Sequence, residues 1–359
     1  MIKGVMDDTA NSMSESQSRP YTPSWVNHID AWVDRLPGSS WLYYLGVSLL
    51  VFLIQTAVLW GEGAFPNSTA HRVHGFMAGV LAFFLTLLHF LDRRARAALA
   101  TLRPALMTSE QEYDELCYRL TTLPPRATFL AGLAGVVFSL LPEVISGEPY
   151  QLSSLNPFPL SANLLRLNYW LIWWIFGTFL YHTVHQLGLI NRIYSKQTRV
   201  NLFRMKPLYA FANLSALTAG GLLVVLYGWL IVNPDVSLND PIIIVLYLFF
   251  TFLAVVTFIW PQLGIHHLQI TEKDRLIDEA NQRFEATIQE LHQRVDNGRL
   301  EDITELNVTI ATLEMELSTL KEIPTWPWQP ETVRWLITAL VLPLGLWLLQ
   351  FILQRVMGP

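Results

Sequence analysis

Residues 241–260 read PIIIVLYLFFTFLAVVTFIW, twenty positions without one charged side chain. A helix needs about 20 predominantly apolar residues to cross the hydrocarbon core of a bilayer. A buried strand shows no different periodicity, but it is shorter and bounded by turn signals. The stretch therefore reads as a transmembrane helix, and it fixes how the rest of the chain is read.

Working outward, six more stretches have comparable character: 41–60, 73–91, 128–145, 164–185, 208–232 and 334–353, with 241–263 as the sixth in order. The third is the weakest, since TFLAGLAGVVFSLLPEVI is short and ends on Pro142 and Glu143. The expected fold is all-α, a polytopic bundle of about seven transmembrane helices with a cytoplasmic antiparallel helical hairpin between the sixth and seventh spans. Composition agrees. Charged residues are 15% of the 359 positions against a globular norm of about 25%, and 52% are hydrophobic.

Positive residues in the loops give the orientation. Arg93, Arg94, Arg96, Arg103, Arg119 and Arg126 fall in 92–127, and Arg192, Lys196, Arg199, Arg204 and Lys206 in 186–207. The 61–72 loop holds only Arg72, and 146–162 and 233–240 hold no Lys or Arg. The N-terminus is expected in the cytoplasm and the C-terminus outside, most simply in the plasma (cell inner) membrane. The first 20 residues are polar, so no cleavable signal peptide is expected.

Between the spans, five domains are expected. Residues 1–21 read as a disordered cytoplasmic N-terminus. Residues 22–38 read as an interfacial amphipathic helix, with Trp25, Val26, Ile29, Trp32, Val33 and Leu36 on one face and Asp30 and Asp34 on the other. The six-span bundle covers 39–263, and 331–359 holds the last span. Residues 264–330 form the hairpin. Ile277, Ala280, Phe284, Ile288, Leu291 and Val295 mark its first arm, and Ile303, Leu306, Ile310, Leu313, Leu317 and Leu320 repeat at heptad spacing along the second. Asp296-Asn297-Gly298 supplies the turn, and PTWPWQP at 324–330 breaks the second arm where two Trp rings can anchor it. Ser109 and Glu112 have the spacing of a capping box before a short helix that ends at Pro124-Pro125.

Ionisable groups inside spans are costly and mark function by default. His89, His182, His185, His266 and His267 all lie at or just beyond the ends of spans running outside to inside, hence at one depth near the cytoplasmic face. Imidazole binds metals and titrates near neutrality. These five are the candidate metal ligands, with pH sensing or plain interfacial packing as the alternatives. The sequence names no cofactor. A second group, Glu62, His71, His74 and Glu143, is expected near the outer face, where solvated loop positions are the simpler reading. Asn67-Ser68-Thr69 is a glycosylation sequon there. Trp170, Trp173 and Trp174 suit either helix packing or a pocket. Asn213, Ser215, Thr218, Gly220 and Gly221 make the fifth span small and polar, which suits close helix approach or a cavity.

A single cysteine, Cys117, excludes an intrachain disulfide or CxxC chemistry. No phosphate-binding GxxxxGK[ST] loop, GxSxG or HExxH motif is present. Nucleic acid is not an expected partner. The lipid bilayer is, along with a second copy of the chain or a cytoplasmic protein docking on 264–323. The leading functional expectation is a non-enzymatic channel or receptor-like sensor that couples hairpin to bundle. A histidine-dependent metal or haem oxidoreductase, a small-molecule transporter and a scaffold are the alternatives.

Overall fold

The computed structural model describes residues 20–63, 68–146, 159–197, 209–232, 241–298, 303–328 and 333–341, with Leu202, Met205 and Glu331 in addition. Among the described residues the fold is helical with no strand. The helices are α1 (Trp25–Val33), α2 (Ser40–Gly61), α3 (Ser68–Leu102), α4 (Glu110–Thr121), α5 (Pro125–Ser139), α6 (Leu141–Ser146), α7 (Pro159–Gln197), α8 (Tyr209–Val232), α9 (Pro241–Asp296) and α10 (Ile303–Glu322). A last helical stretch runs over 333–341.

Among the described residues four helices are long and apolar enough to cross a bilayer: Ser40–Gly61, Val73–Ala105, Tyr209–Val232 and Tyr247–Asp296. The chain is thus a membrane-embedded helical protein. The other three expected spans do not meet that measure. The 128–145 stretch is divided between the 15-residue α5 and the six-residue α6. α7 is long, at 39 residues, but Arg166, Asn168, three Trp, three Tyr and two His dilute its apolar character. The seventh passes outside the described residues after Val341. Along α2 the side chains of Leu42, Leu45, Leu49, Leu50 and Leu53 are about half exposed, an apolar face of the kind a bilayer covers.

α3, α7, α8 and α9 form the middle of the bundle, each packed on at least two of the others, with α2 on α3 and α5 on α7. The α5–α7 crossing brings backbone against backbone. A Cβ built on Gly177 would sit 2.3 Å from the Ala131 carbonyl oxygen, and one on Gly135 would sit 2.1 Å from that of Trp173. Neither position has room for any other residue, which is how small residues let membrane helices associate. Trp174 closes the same seam over Gly132, and Phe129 meets its ring edge-on at 5.0 Å.

The small, polar half of the fifth expected span packs rather than lining a pore. Gly221 of α8 lies under Leu87 and Gly220 under Trp335. Thr218 donates to the Leu214 carbonyl one turn back, and Ser215 accepts from Gln262 Nε2 at 2.7 Å. That last bond lies beside Pro261. α9 continues unbroken through this proline for 56 residues, where a soluble helix would kink or stop. Neighbouring side chains make a proline tolerable inside a membrane helix.

Beyond the bundle, α10 returns along the distal part of α9. Lys273 Nζ donates to the carbonyls of Lys321 and Ile323 at 2.7 and 2.8 Å, and Arg283 approaches Glu316 at 3.7 Å. Ala280, Leu306 and Leu320 are buried between the two helices. Gly298, at φ +68°, makes the turn with a backbone conformation that suits glycine. The chain leaves α10 through a stack of four rings. His266 lies on Trp326 (3.8 Å, 10° between planes), Trp326 on Trp328 (4.3 Å, 9°) and Trp328 on Phe258 (5.4 Å, 17°). The two tryptophans of this segment clamp it to α9.

Candidate functional site

At the ends of α2, α3 and α7 nearest α1 and α4, charged and polar side chains converge, most of them buried. α1 begins this arrangement. Its Asn27 amide spans the backbone just after α4, donating to Thr121 O and accepting from Leu123 N, both at 2.9 Å. Tyr21 donates to Thr122 O at 2.7 Å, while Tyr118 donates to Tyr21 O at 2.6 Å. α4 is held in turn by its expected capping box, with Ser109 and Glu112 bonded reciprocally. Thus α1 is tied down by polar bonds to protein as well as by an apolar stripe.

That docking turns Asp30 inward, contrary to its expected place on the face of α1 away from the apolar stripe. Asp30 Oδ1 accepts from Tyr44 of α2 at 2.7 Å and lies 3.3 Å from His89 Nδ1 of α3. The Tyr44 hydroxyl is itself 3.1 Å from that nitrogen. The other His89 nitrogen, Nε2, lies 3.1 Å from Asp34 Oδ1 but off the hydrogen-bond direction. Three residues along α3, and so on the same helical face, Asp92 Oδ1 lies 2.7 Å from His182 Nε2 of α7. Gln186, one turn beyond His182, donates to the same Asp92 oxygen at 3.3 Å and to Leu120 O at 3.2 Å. Both Asp30 and Arg96 lie near enough to Asp92 to act on it electrostatically.

His182 and His89 have side chains only 2% and 4% exposed, a depth at which an unpaired charge would be prohibitive. Each imidazole is accordingly matched to a carboxylate. Among the described residues three atoms of these pairs remain buried without a hydrogen-bond partner, His89 Nε2, His182 Nδ1 and Asp30 Oδ2. One proton gained or lost on either pair changes the charge of a largely buried site, and the surrounding bonds must rearrange to follow it.

The five candidate histidines do not form one centre. His89 and His182 enter the two acid–imidazole pairs. His185 lies beside them, but its Nε2 meets the Arg119 carbonyl oxygen at 2.9 Å and sits 3.5 Å from the Tyr21 hydroxyl. His266 is stacked on Trp326, with Nδ1 2.8 Å from Thr325 O. His267 is exposed on α9. Among the described residues no three His, Cys, Asp or Glu side chains come together as a metal site.

The outer group is also dispersed. Glu62 follows α2 and caps the N-terminus of α7, accepting from the Leu160 and Ser161 amides at 2.9 Å each and from the Ser161 hydroxyl. The Ser161 hydroxyl, with the two amides, holds this carboxyl below the usual glutamate range. His74 is buried on α3 and Glu143 half-buried on α6, whereas Asn67 and the His71 side chain lie outside the described residues.

Asp92, Tyr44 and Gln186 are not found by sequence analysis. Asp92 directly precedes Arg93 and Arg94 and so looks like part of a solvated loop. Its spacing of three from His89 is the available signal, as is that of four between His182 and Gln186. Comparison of the chain with protein-family models, curated proteins and solved structures gives no match.

Proposed function

We propose that this protein is a multi-pass membrane sensor in which α9 carries rearrangements of the bundle to a cytoplasmic helical hairpin made of its own distal half and α10. The observation that carries the reading is the continuity of α9. Its 56 residues amount to roughly 84 Å at 1.5 Å per residue, against ~30 Å for the hydrocarbon core. The first half packs on α7 and α8 and the second on α10, so a tilt or shift at one end is delivered to the other. The seven-span count and the inside N-terminus rest on the apolar stretches and the loop arginines. Self-association or a protein partner docking on 264–323 would provide the output.

The test is a spin-label distance between Thr101→Cys, exposed at the end of α3, and Met315→Cys, exposed on α10, in a Cys117→Ser background in lipid nanodiscs. A sensor gives two populations whose ratio moves with conditions. A single distance unchanged by pH, bilayer thickness or added ligand would overturn the reading. A membrane-impermeant maleimide checks topology on intact cells: it reaches Glu285→Cys only after permeabilisation.

A second reading is favoured by the Asp92–His182 pair, namely that the stimulus is a proton. It expects the ratio of populations to change with pH and His182→Asn to abolish that change. An unaltered pH response in His182→Asn would remove it.

A further inference from the structure

α10 has two uncharged faces where its fold uses one. Leu306, Ile310, Leu313, Leu317 and Leu320 form the stripe that lies along α9, the first and last of them buried. At about 3.6 residues per turn, Thr304, Val308, Ala311, Thr312, Met315 and Thr319 fall on the opposite side of the helix. All six are exposed, Val308 to 63% and Met315 to 69%. The hydroxyls of Thr312 and Thr319 donate to the Val308 and Met315 carbonyls one turn back, each at 2.8 Å, and so need no partner beyond their own helix. A helix with one buried face ordinarily carries its charges on the solvent face. In α10 they stand on the flanks of the free stripe, Glu305 and Glu316 on one side and Glu314 on the other. The stripe runs roughly 22 Å at 1.5 Å per residue, or about four turns.

Charge decides what can cover it. Between 303 and 320 there is no Lys or Arg. Along the hairpin from Glu272 to Glu322, thirteen Asp and Glu stand against six Lys and Arg, while the remainder of the chain has a slight excess of Lys and Arg. Most of the hairpin's described cations are already engaged. Arg275 bridges Glu272 and Glu279, Arg294 pairs with Glu290, and Lys273 is held on two carbonyls. Among the described residues Glu305 and Glu314 have no cation in reach. A second copy laid on this stripe would set one acidic rim against another, and like charges facing across an interface are costly.

We infer that the outer face of α10 is a docking surface for a basic amphipathic helix of another protein. That helix lays an apolar stripe on Val308, Ala311 and Met315 and sets Lys or Arg against Glu305, Glu314 and Glu316, leaving α10 between α9 and its partner. Such a partner is the output of the proposed sensor and rests on that reading for the cytoplasmic address of the hairpin, not for docking itself.

The experiment is fluorescence anisotropy of labelled synthetic helices added to the full chain in phosphatidylcholine nanodiscs, with empty nanodiscs as the blank. One peptide, about 18 residues long to match the stripe, has leucine at heptad a and d positions and lysine on both flanks. A second has glutamate in place of lysine. The lysine peptide is expected to bind saturably and about tenfold tighter than the glutamate peptide, the order that three rim ion pairs supply, and to weaken as salt is raised. Met315→Lys is expected to weaken it about tenfold or more, through lost apolar contact and added like charge. Val308→Lys, at a position as exposed and so harmless to the fold, gives a similar loss. Equal affinity for the two peptides, binding indifferent to both Met315→Lys and Val308→Lys, or no saturable binding overturns the docking surface. So does a protein that is dimeric without peptide and becomes monomeric in Met315→Lys, since the face then belongs to a second copy. Lysine-peptide binding by a chain whose Thr101–Met315 distance, measured without peptide, never varies keeps the surface and counts against the sensor. A distance that varies while the peptide fails to bind does the reverse.

Discussion

The two ends of this bundle bury different things. At one end Asp30, Tyr44, His89, Asp92, His182 and Gln186 come from four helices and hold one another through directional bonds. At the other, aromatic and aliphatic side chains from four helices line an apolar pocket open on one side. Hydrogen bonds specify distance and angle, so the polar end has few arrangements available to it. Dispersion contacts are non-directional and individually weak, so the apolar end can re-pack. α7 and α3 run through both ends.

The contrast breaks most completely if the two ends lose their shared frame. Gly177→Leu drives a side chain into the Ala131 carbonyl at the α5–α7 crossing. The cost should exceed about 3 kcal/mol and show as loss of monodisperse protein in detergent. Next comes Asp92→Ala, which leaves His182 buried without its carboxylate. A loss of about 3 kcal/mol is expected in denaturant unfolding, against about 1 for Asp92→Asn, which keeps a polar partner. Similar costs for both would mean that the carboxylate charge is what matters and that a neutral polar partner does not replace it. Trp326→Ala removes the middle of the ring stack and should cost about 1 kcal/mol, with faster hydrogen exchange over 333–341 as its sign.

The smallest effect belongs to Glu62. Its carboxyl is held below the ordinary value in the folded protein. The stabilisation is therefore complete above the unfolded glutamate pKa of about 4.3 and disappears as pH falls through the lower folded value. Glu62→Gln should lose that pH dependence while α7 keeps its length. Thermal unfolding from about pH 3 to 7 reads it.

Much of the fold is legible in the amino-acid order. Residues 241–260 announce a membrane helix because hydrocarbon thickness sets the length and tolerates no unpaired charge. The Ser109–Glu112 box is legible because capping is local, confined to one turn, and the Gly298 turn is legible for the same reason. The imidazoles stand out as titratable groups near apolar spans, but their grouping does not. His266 and His185 share the same sequence context as His89 and His182, yet one stacks on Trp326 and the other meets a backbone carbonyl.

The medium and the helical class of this protein follow from the composition and length of contiguous segments, so sequence is enough to set them. Which polar groups are paired is a matter of tertiary structure alone. Asp30 turns inward because α1 docks on α4 through Asn27, and Asp92 is buried because α7 lies over it. Those partners are 59 to 90 residues apart in the chain. Helical periodicity relates residues three or four apart and has no term for a neighbour brought by another helix. The apolar pocket has the same origin: each of its walls reads as ordinary packing until four helices leave a space among them.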